Sequence, residues 1–332
     1  QQMTAREAEI IELIRKEVKP ALGCTEPIAV ALAVAKAMET VEEKCGLSGP
    51  DWRMEGAYSL CIEVSGNILK NGMGVGIPGT GMVGLHIAAA LGAVCGKSSY
   101  GLEVLNDLDE DSIAKAKEMV EAKDVTVGLA ETDHKLYVKA TVLCKDGHSA
   151  CAVIEDDHDN IVETWFDQAQ LTSSHKCEGA DAAAQKSTLD YKLTVKEIVD
   201  FASTVAYEDI EFILESRTLN MALAEEGLKG KYGLKVGYAI NLSANKEVFG
   251  EDFLSYPMSL TAAASDARMA GCTLAAMSNS WSGNQGITVT MPVIAYSKKY
   301  GTDDERLARA LVLSHLIAIH IKGHNVMMIK RH

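Results

Sequence analysis

Two predicted helices are separated by the run Pro20-Ala21-Leu22-Gly23-Cys24-Thr25-Glu26-Pro27. Before this run, apolar residues recur at helical spacing over 4–19, which predicts an amphipathic helix that Pro20 ends. After it, Pro27 stands in the first turn of a second predicted helix, Ile28 to about Lys44. Cys24 is therefore expected at a turn before a helix N-terminus, where unpaired N–H groups and the helix dipole favour a thiolate.

Composition places the chain among ordinary globular proteins. It has 332 residues, 47% apolar and 23% charged, with a formal net charge of -14 at pH 7. So acidic a surface repels phosphate backbones, which argues against nucleic acid as a partner. No apolar run reaches the roughly 18–20 residues that cross a bilayer, and no signal-peptide pattern opens the chain. We therefore expect a cytoplasmic protein without membrane association.

The eight cysteines have irregular spacings and no Cys-x-x-Cys pair, which favours a reducing compartment and free thiols. Most of them stand in apolar runs and are interpreted as buried core residues. Cys24 differs from these by its predicted place at the start of a helix.

The composition changes near residue 50, and residues 51–165 predict a small α+β unit. An extended segment over 55–69 precedes a glycine-rich loop and two helices, at 82–95 and about 109–122. Strands follow at 125–129, 135–144 and 149–155, the last two joined by the hairpin signal Lys145-Asp146-Gly147-His148.

Residues 167–190, rich in Ser, Ala, Gln and Lys, are interpreted as a mobile linker. Helical patterns follow it at 194–203, 207–228, about 258–277 and 303–322. The expected fold class is α+β. A helical domain of residues 1–50 and 190–332 would carry an inserted α+β domain, residues 51–189, with an antiparallel sheet.

The glycine-rich loop runs from Gly72 to Gly81 and contains Gly74-x-Gly76-x-x-Gly79. This matches the dinucleotide fingerprint in form, but a nicotinamide site also needs a strand just before it. A second interpretation is a nest of N–H groups, at the start of helix 82–95, that binds a carboxylate or phosphate. A turn required only for close packing is the third.

A polar run, Ser278-Asn279-Ser280-Trp281-Ser282-Gly283-Asn284-Gln285-Gly286, stands between apolar segments. It predicts either a helix interrupted inside the protein, able to bind a zwitterionic small molecule, or a surface loop. His315 and His320 lie five residues apart on the last predicted helix, so they do not share a face. Each is interpreted as a packed or snorkelling histidine.

These three segments together resemble L-cysteine desulfidase, a group related to the iron–sulfur-dependent L-serine dehydratases of the alpha-subunit type. The resemblance covers residues 5 to 322. It implies β-elimination without pyridoxal phosphate, by the helical catalytic domain, of L-cysteine to hydrogen sulfide, ammonia and pyruvate, or the analogous reaction of L-serine. It also implies a 4Fe-4S cluster on three cysteines, with Cys24 as one ligand.

The resemblance further implies the site residues. Cys24, Glu26 and Asn284 are the expected catalytic residues, although a carboxylate at position 26 is more often a helix cap. The expected substrate-binding residues are Thr25, Thr80, Asn279, Ser282, Gly283, Asn284 and Gln285. A small amino acid is the expected partner, and assembly as a homodimer stays open.

The end of the chain departs from the family pattern. The match stops near Lys322, and residues 323–332 do not look like the family's cysteine- and glycine-rich ending, so we expect a truncated chain. Trp281 stands where a small residue is expected. Two alternatives therefore stay open: a cluster-free remnant that at most binds a small amino acid, and a nicotinamide-binding oxidoreductase.

Overall fold

Helix α1 (Ala5–Glu17) begins at a capping box in the computed structural model, which describes residues 2–49, 51–175, 192–242 and 254–330. The Thr4 hydroxyl accepts from the backbone N–H of Glu7 at 3.1 Å, and the Glu7 carboxylate accepts from the N–H of Thr4 at 3.2 Å. Ile10, Leu13 and Ile14 form its buried face. The helix predicted over 4–19 is confirmed, and strand β1 (Pro20–Ala21) follows it.

Helix α2 (Thr25–Cys45) is almost entirely buried, and its alanine-rich sequence lets a neighbouring helix approach closely. Helix α5 (Leu85–Cys95) contacts it so tightly that a Cβ on Gly92 would lie 2.4 Å from the Ala31 carbonyl oxygen. Gly46, with a left-handed φ of 65°, ends α2. The predicted helix is confirmed and begins three residues before Ile28.

A six-stranded sheet carries these helices, in the order β3-β2-β4-β5-β6-β7. Its strands are β2 (Tyr58–Val64), β3 (Val125–Leu129), β4 (Tyr137–Cys144), β5 (Ser149–Glu155), β6 (Ile161–Phe166) and β7 (Ala169–Ser173). Neighbours are antiparallel except β2 and β3, which are parallel because helices cross between them. The expected antiparallel sheet is therefore observed with one parallel edge pair.

Two predicted segments differ from the structure in this part of the chain. The extended segment over 55–69 ends at Val64, and helix α4 (Gly66–Gly72) follows it. The linker predicted over 167–190 begins as strand β7, which pairs with β6 through Thr164 and Thr172. Cross-strand pairing overrode the polar composition there. The remainder of that predicted linker, 176–190, lies outside the described residues.

The other elements of residues 22–175 are short. They are helix α3 (Asp51–Glu55), a 3-10 segment (Ser98–Glu103) and helix α6 (Glu110–Glu121). Asp109 caps α6 by accepting from the N–H of Ser112 at 2.7 Å.

The rest of the described chain is mainly helical. It contains α7 (Val195–Thr204), α8 (Tyr207–Ile210), a 3-10 segment (Glu211–Leu214), α9 (Glu215–Gly227), α10 (Val236–Asn241), α11 (Ser255–Met269), α12 (Gly283–Tyr300) and α13 (Asp304–Lys330). The helix predicted over 258–277 ends early, at Met269, because the chain then forms strand β8 (Ala276–Met277). This strand pairs antiparallel with β1.

The chain divides into two compact units, residues 22–177 and residues 1–21 with 178–332. Each has its own apolar core. The expected α+β class is confirmed, but the boundary expected at residue 50 differs from this division. Helix α2 shares its core with the sheet, because Val30 and Val34 are buried in one cluster with Leu60 and Val142. In the described part of the chain, no helix combines the length and apolarity that a membrane span requires.

Candidate active site

The predicted turn around Cys24 is present in the unit of residues 22–177. Gly23 has a φ of 74°, a left-handed value that glycine adopts without steric cost, and Cys24 is the N-cap residue of α2. The Cys24 thiol is half-buried and donates to Glu26 Oε2 at 3.0 Å. This contact requires one proton between the two groups, so Glu26 is placed to hold the proton that Cys24 gives up when it acts as a thiolate.

The glycine-rich loop contacts the Cys24 turn. A Cβ on Gly23 would lie 3.2 Å from Cγ of Pro78, so this glycine is needed where the two segments meet. Both segments therefore lie side by side in the same unit.

The loop uses its own polar groups to hold its shape. The Thr80 hydroxyl donates to the Ile77 carbonyl at 2.8 Å and accepts from the Met82 N–H at 3.0 Å. The Ile77 N–H donates to the Met82 carbonyl at 2.9 Å, and the Gly84 N–H donates to the Val75 carbonyl at 2.9 Å. The interpretation as a packing turn fits these bonds best. Substrate binding by Thr80 would require its buried hydroxyl to exchange partners.

The nicotinamide interpretation of this loop does not fit the fold. A dinucleotide fingerprint follows directly from a strand, whereas helix α4 (Gly66–Gly72) leads into this loop. The following helix begins at Leu85 and not at Met82, because Gly84, with a φ of 103°, is its N-cap residue. The fingerprint glycines thus stand several residues before that helix.

The second candidate segment lies in the unit of residues 1–21 and 178–332, where it forms a tight turn. The Asn279 N–H donates to the Ser282 carbonyl at 3.1 Å, and the Ser282 N–H donates back to the Asn279 carbonyl at 3.0 Å. The two central residues, Ser280 and Trp281, have φ values of 49° and 67°. Left-handed backbone at two successive non-glycine residues costs roughly 1–3 kcal/mol each, and such strain is concentrated at functional sites.

The Asn279 carboxamide is fully buried, and both ends of it are bonded. Its Nδ2 donates to His315 Nδ1 at 2.9 Å and to the His315 carbonyl at 3.2 Å. Its Oδ1 accepts from the Ser280 hydroxyl at 2.9 Å and from Gln285 Nε2 at 2.7 Å. Asn279 therefore fixes the turn from inside, and the predicted direct contact with substrate is not favoured by this geometry.

His315 is the buried partner on which this arrangement depends. Because its Nδ1 accepts from Asn279, its proton lies on Nε2, which donates to the Ser216 hydroxyl at 3.2 Å. Burial lowers the pKa of His315 from 6.5 to about 4, so the ring is neutral at pH 7. His315 is therefore a packed histidine, as the sequence predicts, and it also holds Asn279 and Ser216 by hydrogen bonds.

The segment 278–286 ends as the start of helix α12, which the sequence patterns did not predict. Ser282 is its N-cap residue and accepts from the Gln285 N–H at 3.1 Å. Gly283 is needed because a Cβ there would lie 2.2 Å from Nε of Arg268. Asn284 Oδ1 accepts from Nη1 of Arg268 at 3.2 Å. Ser282, Asn284 and Gln285 remain partly exposed at this helix start.

The predicted site residues thus form two groups. Cys24, Thr25, Glu26 and Thr80 belong to one compact unit, and Asn279, Ser282, Gly283, Asn284 and Gln285 belong to the other. Sequence reasoning missed the buried polar residues that support the second group: Ser216, Asn220, Arg268 and Thr290. Asn220 donates to Thr290 Oγ1 at 2.8 Å and accepts from the Met277 N–H at 2.8 Å. A polar residue within an apolar helical stripe was the available signal.

Comparison with known families gives the context for these residues. The serine dehydratase alpha chain family matches residues 99–327, which is more than half of the chain and includes the Asn279 turn. The chain belongs to this family. The resemblance noted from the three sequence segments is therefore confirmed at the level of a lyase-type family.

Relatives of this family member carry names that state no activity. A UPF0597 protein of Phocaeicola vulgatus is 44% identical over 317 residues, covering 95% of this chain and 69% of the relative. A UPF0597 protein of Oleidesulfovibrio alaskensis is 46% identical, covering 94% and 69%. The UPF0597 protein YhaM of Escherichia coli O139:H28 is 45% identical, covering 94% and 68%. No solved structure matches the chain.

The described cysteines of this family member can be compared with the 4Fe-4S cluster that the resemblance implies. Burial is the main cause that raises the pKa of four of them, which keeps these thiols neutral: Cys45, Cys95, Cys144 and Cys151. Cys272 is buried in the apolar core of the other unit. Cys24 alone among the described cysteines stands at a helix start. Cys61 lies within strand β2, between β3 and β4. Cys24 is therefore the one described cysteine with the position expected of a cluster ligand.

Proposed function

We propose that the protein is a lyase that removes the β-substituent of a small L-amino acid without pyridoxal phosphate. L-cysteine is the proposed substrate, giving hydrogen sulfide, ammonia and pyruvate, with the analogous reaction of L-serine as the close variant. The observation that carries this proposal is the serine dehydratase alpha chain match over residues 99–327, which contains the strained polar turn.

The proposed reaction balances without an oxidant. A base removes the α-proton of L-cysteine, the freed electron pair forms a Cα–Cβ double bond, and the Cβ–S bond breaks to release hydrosulfide. The aminoacrylate that remains takes a proton at Cβ and loses one from its nitrogen to become an imine, and water hydrolyses the imine to ammonia and pyruvate. The protein must therefore bind a zwitterion, hold one proton and admit water at the last step.

The start of helix α12 is the proposed binding place for the substrate carboxylate. The positive end of the dipole of an 18-residue helix lies there. The Gln285 N–H donates to Ser282 Oγ, and the N–H groups of Gly283 and Asn284 have no acceptor within the helix. Asn284 and Gln285 are partly exposed beside these N–H groups. The buried bonds of Asn279 support this proposal indirectly, because they fix the turn from which the helix begins.

Cys24 is the proposed residue that would bind a metal as a thiolate, and Glu26 is the proposed residue that would hold its proton. Their 3.0 Å contact keeps one proton between thiol and carboxylate. Glu26 would take this proton when Cys24 acts as a thiolate. Because Cys24 is the one described cysteine with the position expected of a cluster ligand, the dependence of the activity on iron has to be measured.

The direct test is an activity assay on the 332-residue chain, before and after anaerobic reconstitution with iron and sulfide. After removal of free sulfide, L-cysteine is added, and released sulfide and pyruvate are measured separately. Equal amounts of both products are expected, with at least a tenfold loss in Cys24→Ala. Cys61→Ala, at a partly exposed strand position, is the matched control and should retain the activity. Failure to form either product would contradict the proposal.

A second candidate is an iron-free protein that binds a small amino acid without turning it over. The observation that favours it is that only Cys24, among the described cysteines, stands at a helix start. Calorimetry with L-cysteine and L-serine on the chain as isolated, together with an iron count, separates the two candidates. Binding with no iron and no pyruvate would support the second candidate, and stoichiometric iron would exclude it.

A further inference from the structure

One end of the six-stranded sheet gathers histidine and carboxylate side chains that the proposed lyase reaction does not use. Antiparallel pairing brings the start of β4, the end of β5, the start of β6 and the end of β7 to the same end of the sheet. These four strand ends carry a histidine–carboxylate cluster, which consists of His134, Glu155, Asp156, Glu163 and His175.

Glu155 is the centre of the histidine–carboxylate cluster. It is only 8% exposed, and strand pairing with Tyr137 of β4 fixes its backbone. Its Oε2 lies 3.1 Å from Nδ1 of His175 and 3.7 Å from Nε2 of His134. Two imidazole nitrogens, from segments 41 residues apart in the chain, therefore face one carboxylate oxygen.

The two outer carboxylates orient the imidazole rings. Asp156 Oδ1 lies 3.0 Å from Nδ1 of His134, and Glu163 bonds Nε2 of His175. Because an ionised carboxylate only accepts, these nitrogens carry the N–H and leave the other nitrogen of each ring facing Glu155. Glu163 is itself held by the Trp165 indole N–H at 3.0 Å. A histidine whose far N–H is held by a carboxylate is the usual arrangement around protein-bound metals.

We propose that this cluster binds one divalent first-row transition metal ion of the zinc type. The ligands are Nε2 of His134, Nδ1 of His175 and Oε2 of Glu155, and Asp156 and Glu163 are positioning residues. Tetrahedral ligands about 2.0–2.1 Å from zinc lie roughly 3.3 Å apart. The two nitrogen–oxygen separations, 3.1 and 3.7 Å, lie on either side of that value. Donor atoms of His134, Glu155 and Asp156 all lie within 4.8 Å of one another, whereas His175 is not part of this group, so its imidazole must approach that of His134 when the metal binds.

The donor set selects the class of metal. Two imidazoles and a carboxylate suit zinc, cobalt or nickel, whereas magnesium and calcium prefer oxygen ligands alone. An imidazole nitrogen binds a metal only without its proton, so metal binding should release protons and weaken as the pH falls.

Calorimetric titration of the whole chain with zinc chloride tests the proposal. One zinc ion per chain is expected, with binding weakened at least tenfold in each of His134→Ala, Glu155→Gln and His175→Ala. His148→Ala is the matched control, because His148 is an exposed imidazole of the same sheet that contacts a single carboxylate, Asp167, at 3.1 Å. This control should bind zinc as the wild type does. Magnesium chloride should give no heat of binding at this site.

Two further measurements keep the result interpretable. Circular dichroism checks that each variant is folded, and the two exposed histidine variants carry the test if Glu155→Gln, at a buried position, is not. Cobalt in place of zinc reports the ligands, because thiolate ligation gives a strong charge-transfer band that nitrogen and oxygen ligands do not. Absence of zinc binding, equal loss in His148→Ala, unchanged binding in the three variants, or a thiolate band would each overturn the proposal.

Discussion

Replacement of His315 by glutamine should make the free energy of unfolding of the unit of residues 1–21 and 178–332 less dependent on pH. His315 is fully buried and neutral, and it accepts from Asn279 at the centre of the strained turn. Its pKa is lowered by burial, so the folded protein resists protonation that the unfolded chain accepts. Glutamine has no proton to gain in this range. The variant and the wild type should therefore diverge as the pH falls.

The size of this effect follows from the two pKa values. The folded value is about 4 and the unfolded value 6.5. Between them the unfolded chain binds more protons, so the free energy of unfolding falls as the pH falls. The stabilising contribution is fully present above about pH 6.5 and fully lost below about pH 4. A difference of about 2.5 pH units, at about 1.4 kcal/mol each, makes the loss about 3 kcal/mol.

Urea unfolding at several pH values between 7 and 4 measures this loss. Trp281 is the only tryptophan in residues 1–21 and 178–332, so a background with Trp52→Phe and Trp165→Phe makes fluorescence report this unit. Wild type should lose about 3 kcal/mol more than His315→Gln over this range. His320→Gln, at a partly exposed position of the same helix, controls for the exchange itself. Parallel pH curves for wild type and His315→Gln would refute the reasoning.

Three other predictions test the same structural account. Gly286→Ala should destabilise the protein by about 3 kcal/mol in thermal unfolding, because its Cβ would lie 1.9 Å from the backbone carbonyl oxygen of Met277. Gly283→Ala should destabilise it less, because the added Cβ meets the end of the Arg268 side chain, which can shift. In thermal unfolding, Cys24→Ser should be about 1 kcal/mol more stable than Cys24→Ala, since serine can cap α2, while both variants lose at least tenfold in lyase activity. Without added metal, the stability that protonated His134 and His175 contribute should be present below pH 6.5 and lost as the pH rises through their raised pKa values. Urea unfolding at pH 6 and pH 8 measures this loss. The difference in the free energy of unfolding between the two pH values should be smaller in His175→Ala than in wild type.

Local patterns predicted much of the secondary structure. The apolar spacing over 4–19 and the proline in the first turn of α2 indicated both N-terminal helices, and the Asp146-Gly147 turn indicated the β4–β5 hairpin. Strand β7 and helix α12 were missed for different reasons. Strand β7 is exposed and polar, and its pairing with β6 decides its conformation. Helix α12 has apolar residues at helical spacing, at Ile287, Met291 and Ile294, but its polar start and the internal Pro292 hide the pattern.

The candidate site divides in the same way. Cys24 at a helix start follows from the order of prolines and glycine in the sequence, since these residues act on the backbone locally. The bond from Asn279 to His315 joins residues 36 apart, so no local pattern indicates it. The same holds for the cluster around Glu155, whose histidines come from different strand ends.

The sequence by itself determined the α+β class, the first two helices and the family, because these depend on short-range spacing and on short motifs that can be recognised without the fold. Only the tertiary structure decided that α2 packs in one core with the sheet and that the Thr80 hydroxyl donates to the Ile77 carbonyl of its own loop. It also decided which buried polar groups meet. Those outcomes depend on which distant residues come within about 3 Å of one another, a distance that hydrogen bonding requires and that the order of residues does not encode locally.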